Sequence, residues 1–309
     1  MLKPRALRSG DRIALVAPAS SFARDAFDAG VAELRRLGFE PVYDESVFAR
    51  ERFTAGAAAL RASAFRRAWT DPSIAALMAV RGGYGSVHLL PQLDAAEIQR
   101  TPKAFIGYSD NTSILTWLTG RCGTVAFHGP MIDGRLAKGE SAYDRDSFTR
   151  VLTRALPPGA ITHPQVVALR SGEAAGMLVG GTMTQLTASL GTPYAFDPPR
   201  GHILFLDEVA ERPYRIDRML TQLTLAGVVA RAAAIVFGEM PGCDEPSEGG
   251  PAIRDVLSDL IAGFRGPVLF GLPSGHTAGA AMTLPFGVRA RVVTESGPAV
   301  IIEEAAVAT

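Results

Sequence analysis

This sequence has no excess of charge of either sign: 31 lysines and arginines balance 31 aspartates and glutamates. Without a basic face there is no footprint for nucleic acid or for an anionic membrane, and neither is expected as a partner. Cysteine is nearly missing too. Cys122 and Cys243, the only two, offer no disulfide framework and no paired metal-ligand spacing. Cys122, in Gly120-Arg-Cys-Gly123, reads as a small packed hydrophobe. No apolar run approaches the ~20 residues needed to cross a bilayer. The first twelve residues show neither a long apolar segment nor a small-residue cleavage site, so a secretory leader is not expected and a cytoplasmic setting is. What is present is ordinary globular material. The 309 residues are 47% hydrophobic and 20% charged, enough for two domains, or one large one, around a buried core.

The first half alternates strand and helix patterns. Strands are expected at 12–17, 39–43, 74–80 and 104–106, with helices at 28–37 and 57–69 between them. This order implies a mostly parallel sheet with helices on both faces, which binds ligands outside the carboxyl ends of its strands. The composition shifts near Ala155-Leu-Pro-Pro-Gly159, so 1–155 reads as an α/β domain and 156–175 as a linker. From Gly176 to Thr309 strands dominate, at 202–206, 234–238, 268–270 and 288–293, with one clear helix at 215–225.

Within that frame, Gly107-Tyr-Ser-Asp110 stands between an apolar strand and a helix-like run, Ile114-Leu115-Trp117-Leu118. Strand, sharp turn and helix present the Ser109 hydroxyl at a sheet edge, beside the free N–H groups of the helix start. Alternatively, Ser109, Asp110 and Asn111 merely cap the helix. Arg81-Gly-Gly-Tyr-Gly85 also follows a strand, and adjacent glycines let backbone N–H groups approach a ligand. That turn could be structural, a phosphate cradle, or an oxyanion donor beside Ser109. It lacks both common phosphate-loop patterns.

Five histidines offer a base. His163 and His202 read as surface residues, and His88 begins a helix. His128 follows an apolar strand, and His276 lies on a glycine-rich loop at a strand end, where catalytic groups are often placed. The strand 202–206 runs into Asp207 and Glu208, whose side chains must leave opposite faces. Asp207 shares its face with Ile203 and Phe205, Glu208 with Leu204 and Leu206. Glu211, Arg215, Asp217 and Arg218 read as structural pairs. The acids of Glu239-Met-Pro-Gly-Cys-Asp-Glu-Pro-Ser-Glu248 form a loop without histidine, not a metal cage.

Six segments in this order resemble the LD-carboxypeptidase family, the S66 serine peptidases. They are Arg81–Gly85, Pro102–Asp110, His128–Met131, Gly180–Met183, Ile203–Arg218 and Gly271–His276. The resemblance implies a flavodoxin-like N-terminal domain, a β-rich C-terminal domain, an active site at their junction and a homodimer. It implies Ser109 as nucleophile and His276 as general base. The family's acid is a glutamate in a Leu-Glu-Asp strand end, and its position is occupied here by Asp207, with Glu208 the fallback. Gly83 and Asp110 would supply the oxyanion N–H groups, and Gly82 and Tyr84 would touch substrate. The implied substrate is a murein tetrapeptide losing its terminal D-alanine, with no cofactor or metal required. Related members hydrolyse microcin-type peptide-nucleotide conjugates. A non-catalytic α/β ligand-binding protein and a nucleotide-binding module remain competing readings.

Overall fold

The structure, a computed structural model, describes every residue except Glu248 and Ser296. Its strands are β1 (Arg12–Val16), β2 (Glu40–Val42), β3 (Ile74–Ala79), β4 (Ala104–Gly107), β5 (Ala126–His128), β6 (Gly159–Ile161), β7 (Val167–Arg170), β8 (Glu173–Thr182), β9 (His202–Asp207), β10 (Ala232–Gly238), β11 (Val268–Leu272), β12 (Leu284–Phe286), β13 (Arg289–Val293) and β14 (Ala299–Ile302). The first sheet runs β12-β5-β4-β3-β1-β2 and the second β6-β14-β13-β8-β9-β10-β11-β7.

In the first sheet β1 to β5 are parallel. Their sequences are near-continuous apolar runs, Ile74–Ala79 being buried throughout, as strands covered on both faces must be. Helix Arg24–Arg36 begins a turn before the expected Asp28, because Phe27 completes the stripe Phe27, Val31, Leu34 that faces the sheet. Gly38, with φ +92°, then reverses the chain.

The second sheet is parallel through β8-β9-β10-β11 and antiparallel at both flanks. Two features depart from the sequence reading. The 156–175 stretch contributes β6 and β7, the two outermost strands of this sheet. Such short, exposed edge strands carry no periodicity strong enough to read. The second half also holds helices Met183–Ser189, Val228–Arg231 and Ile253–Leu260 besides Pro213–Leu225. Each of these three is eight residues or fewer, too short for a sequence stripe.

The halves interlock. β12, from the far end of the chain, pairs antiparallel with β5 and closes the first sheet. One apolar cluster continues from Ile106 and Phe127 in the first sheet to Ile203, Phe205 and Val236 in the second. The alternate residues Leu204, Leu206 and Phe237 join a second cluster with Met183, Ile216 and Leu220. Strand β9 therefore turns one face to the first sheet and the other to the helices. Within the first half, Phe65 is fully buried, stacks on Trp69 and meets Phe105 at a tilt of 60°. Phe65→Ala should cost about 3–5 kcal/mol of stability, read by urea titration. A loss under ~1 kcal/mol would mean that this contact is not part of a close-packed core.

Candidate active site

Ser109 sits just beyond β4 with φ +63°, a left-handed backbone rare for a non-glycine residue. Holding it there costs on the order of 1–3 kcal/mol, which the surrounding packing must offset. No side-chain cap bond forms at either Tyr108 or Asn111, so Ser109 does not serve as a helix cap. Asp110 instead accepts the Ser86 N–H at 2.8 Å, and the Ser86 hydroxyl donates to the Asp110 carbonyl at 2.6 Å. Asn111 Nδ2 donates to the Arg81 and Tyr108 carbonyls, both at 3.2 Å. The glycine turn and the serine turn are thus bonded to each other.

Their contact is close enough to require glycine. A Cβ on Gly82 would lie 2.8 Å from Ser109 Cβ and 3.0 Å from its Oγ. Gly83 has φ +98°, and a Cβ there would strike Ser20. The Ser20 hydroxyl accepts the Tyr84 N–H at 3.0 Å. The buried Arg61 guanidinium donates to the carbonyls of Gly56, Gly85 and Pro18, fixing the base of the turn. Among the described residues, the N–H groups of Gly83 and Asp110 have no backbone acceptor. Tyr84 is half exposed and meets Phe53 edge-on, ring centres 5.6 Å apart.

The second sheet delivers the rest. Asp207 ends β9, fully buried on the face shared by Ile203 and Phe205. Its Oδ2 accepts two bonds from His276, from the backbone N–H at 3.0 Å and from Nδ1–H at 2.8 Å. Its Oδ1 accepts the Thr182 hydroxyl at 2.7 Å. The other ring nitrogen, His276 Nε2, lies 3.2 Å from Ser109 Oγ. With Nδ1 holding the hydrogen, Nε2 is free to accept the serine proton. Burial pushes the Asp207 carboxyl up, but the charge and hydrogen bonds of His276 hold it down at about 2. Burial pulls the His276 ring down, and Asp207, then Glu208, outweigh it and leave the ring above its usual 6.5.

Glu208 leaves the opposite face. It accepts the Thr184 N–H at 3.0 Å and hydroxyl at 2.7 Å, and burial raises its pKa. So Ser109, His276, Asp207 and the glycine turn converge, and Glu208 stands apart.

Three participants were not read from the sequence. Thr182 pairs with Asp207 in the β8–β9 register, and the Gly180–Met183 motif was its signal. Arg61 acts through backbone carbonyls, and Ser86 through the carbonyl and carboxylate of Asp110, contacts for which sequence offers no pattern.

One other placement differs from expectation. His202 is buried, not on the surface, because it starts a central strand, and its Nδ1–H donates to the Pro199 carbonyl at 2.8 Å. His88 stands in a short 3-10 turn, 86–92, and His163 is partly buried. Cys122 is fully buried. In the acidic loop, Glu239 accepts the Ala278 N–H, Asp244 the Ile253 N–H, and Glu245 pairs with Arg212. Glu248 lies outside the described residues. Arg215 and Glu211 form an ion pair at 3.3 Å. Among the described residues, no three His, Cys, Asp or Glu side chains gather to hold a metal, and no helix is long and apolar enough to cross a membrane.

Residues 13–129 match the LD-carboxypeptidase N-terminal domain, and residues 175–292 match the LD-carboxypeptidase C-terminal domain. The chain belongs to the LD-carboxypeptidase family. It is 31% identical over 310 residues to a probable murein peptide carboxypeptidase of Bacillus subtilis, covering 97% of this chain and 94% of that protein. It is 33% identical over 275 residues to a murein tetrapeptide carboxypeptidase of Pseudomonas aeruginosa, covering 86% and 88%. The microcin C7 self-immunity protein MccF of Escherichia coli is 28% identical over 302 residues, covering 88% and 87%. The unliganded wild-type MccF structure superposes with a TM-score of 0.92 at 26% identity, covering 99% of each chain. Membership of this family makes the protein a peptidase.

The buried pair fixes the sign of the pH dependence. The lowered Asp207 contributes stability above its ordinary 3.8, lost as pH falls toward about 2. The raised His276 contributes stability that is full below 6.5 and lost as pH climbs through its folded value. A base must be neutral to take a proton. Phosphonylation of Ser109 by a fluorophosphonate should therefore rise with pH through a midpoint above 6.5. A midpoint below 6.5 would contradict the pairing with Asp207.

Proposed function

We propose that this family member is a serine carboxypeptidase that cuts the L,D-peptide bond releasing terminal D-alanine from murein tetrapeptides. One observation carries the reading: the hydrogen-bonded line from Ser109 Oγ through His276 to the buried Asp207. In it, His276 takes the Ser109 proton as Oγ attacks the scissile carbonyl, then delivers that proton to the leaving D-alanine amine. A water activated by the same imidazole opens the acyl-enzyme. Asp207 holds the Nδ1–H tautomer and stabilises the imidazolium. The developing oxyanion is received by the N–H groups of Gly83 and Asp110, each such donor being worth ~3 kcal/mol of barrier. Gly82 leaves the attack path open, and the exposed Tyr84 ring borders the substrate.

The acid at the strand end is Asp207 where the family's pattern has glutamate. A side chain one methylene shorter still serves, because the 2.8 Å contact to Nδ1 is made with the His276 backbone drawn in as well. The murein reading is supported by the names of the Bacillus and Pseudomonas relatives. The similarity to MccF supports a second reading, hydrolysis of a microcin-type peptide-nucleotide amide by the same three residues. The cytoplasmic setting and the homodimer belong to the same proposal.

Incubation with an L,D-linked tetrapeptide should release free D-alanine, and Ser109→Ala should release none. Asp207→Ala should lower kcat by ~10³-fold or more, with Glu208→Ala under ~10-fold. The reverse order would move the acid to Glu208. A wild type that cleaves neither the tetrapeptide nor a peptide-nucleotide amide would overturn the hydrolase reading.

A further inference from the structure

His128 ends β5, is completely buried, and has no part in the chemistry just described. Its ring stacks on Phe286 at 5.2 Å and meets the edges of Phe205 at 5.1 Å and Tyr108 at 6.0 Å. Nδ1 lies 3.0 Å from Ser274 Oγ. That hydroxyl spends its one proton on the Met282 carbonyl at 2.9 Å. Nδ1 must therefore carry a hydrogen and donate it to Ser274. Nε2 is then a bare acceptor, buried and without a partner.

The backbone between the ring and the triad acid is Gly275, at φ +72°. A Cβ there would lie 2.5 Å from His128 Cε1 and 2.4 Å from Asp207 Oδ2. The His128 ring and the Asp207 carboxylate thus flank the same peptide, one residue before His276. From the other side Arg135 Nη2 donates to the Gly275 and Thr277 carbonyls at 2.9 and 2.8 Å. The loop carrying His276 is held from the first sheet as well as from Asp207.

We propose that His128 is a positioning residue: its Nδ1–H, donated across the sheets to Ser274, sets the depth at which the 272–277 loop presents His276 to Ser109. This rests on reading Ser109, His276 and Asp207 as one catalytic line. A neutral ring is required, since a cation here would compete with His276 for Asp207. Burial meets that requirement by driving the His128 pKa down to about 4. The titratable groups facing the ring are Asp207 from β9, His276 from the loop and Tyr108 from the end of β4.

The test measures the rate at which a fluorophosphonate labels Ser109 across pH, with melting temperature followed in parallel. His128→Phe keeps a ring but removes the donor. His128→Asn returns an amide N–H near the δ position. Ser274→Ala removes the acceptor. His128→Phe and Ser274→Ala should each slow labelling about 10- to 100-fold, the scale expected for a misplaced catalytic group. Each should also shift the midpoint of the pH profile, the double variant should be no slower than either single one, and His128→Asn should recover most of the rate. Folded His128→Phe labelling within twofold of wild type, an asparagine variant no better than phenylalanine, or multiplying single effects would each overturn the proposal. If His128→Phe does not fold, a normal rate in Ser274→Ala overturns it alone. A wild type that takes no label on Ser109 refutes the catalytic line and this proposal together, whereas normal wild-type labelling with unaffected variants refutes this proposal only.

Discussion

A single carboxylate oxygen, Asp207 Oδ2, organises the site by accepting both the backbone N–H and the ring Nδ1–H of His276. A charge with no exposure to water is tolerated only if its lone pairs are served. Here Oδ2 serves His276 twice, and Oδ1 receives Thr182. Because the same oxygen grips backbone and ring, the imidazole is oriented by the path of its own chain rather than by a rotamer alone. The demand propagates outward. The carboxylate leaves no space for a side chain at 275, which must be glycine, and the register of β8 on β9 must put a hydroxyl beside it.

The second requirement is that two sheets meet at their carboxyl edges. Ser109 and the glycine turn follow β4 and β3, whereas Asp207 ends β9 and His276 follows β11. Serine and histidine come within 3.2 Å only if the sheets keep a fixed relation. Strand β12 and the shared apolar cluster supply it, crossing between the halves of the chain. The strained turn at Ser109 is affordable on such a scaffold, because Ser86, Asn111 and Arg61 bond its surroundings in place.

Much of this could be read in the residues. Alternation along 202–208 was enough to assign Asp207 to the face of Ile203 and Phe205 and Glu208 to the other, and the two apolar clusters divide the same way. Strand-turn-helix patterning located Ser109, because parallel strands and amphipathic helices are written locally. What could not be read depends on contacts distant in sequence. Strand β12 is three residues long and pairs with residues about 160 positions earlier. Strands β6 and β7 lie at sheet edges with little buried surface. His128 and His202 look alike as histidines flanking apolar strands, and only tertiary packing buries both.

Catalysis by this site depends on where the oxyanion goes. A crystal structure of the protein after reaction with a fluorophosphonate tests this most directly. The phosphorus should be bonded to Ser109 Oγ, with its oxyanion-like oxygen within ~3 Å of the N–H groups of both Gly83 and Asp110 and His276 Nε2 still beside the serine oxygen. An adduct on another residue, or an oxygen turned away from the glycine turn, would contradict it.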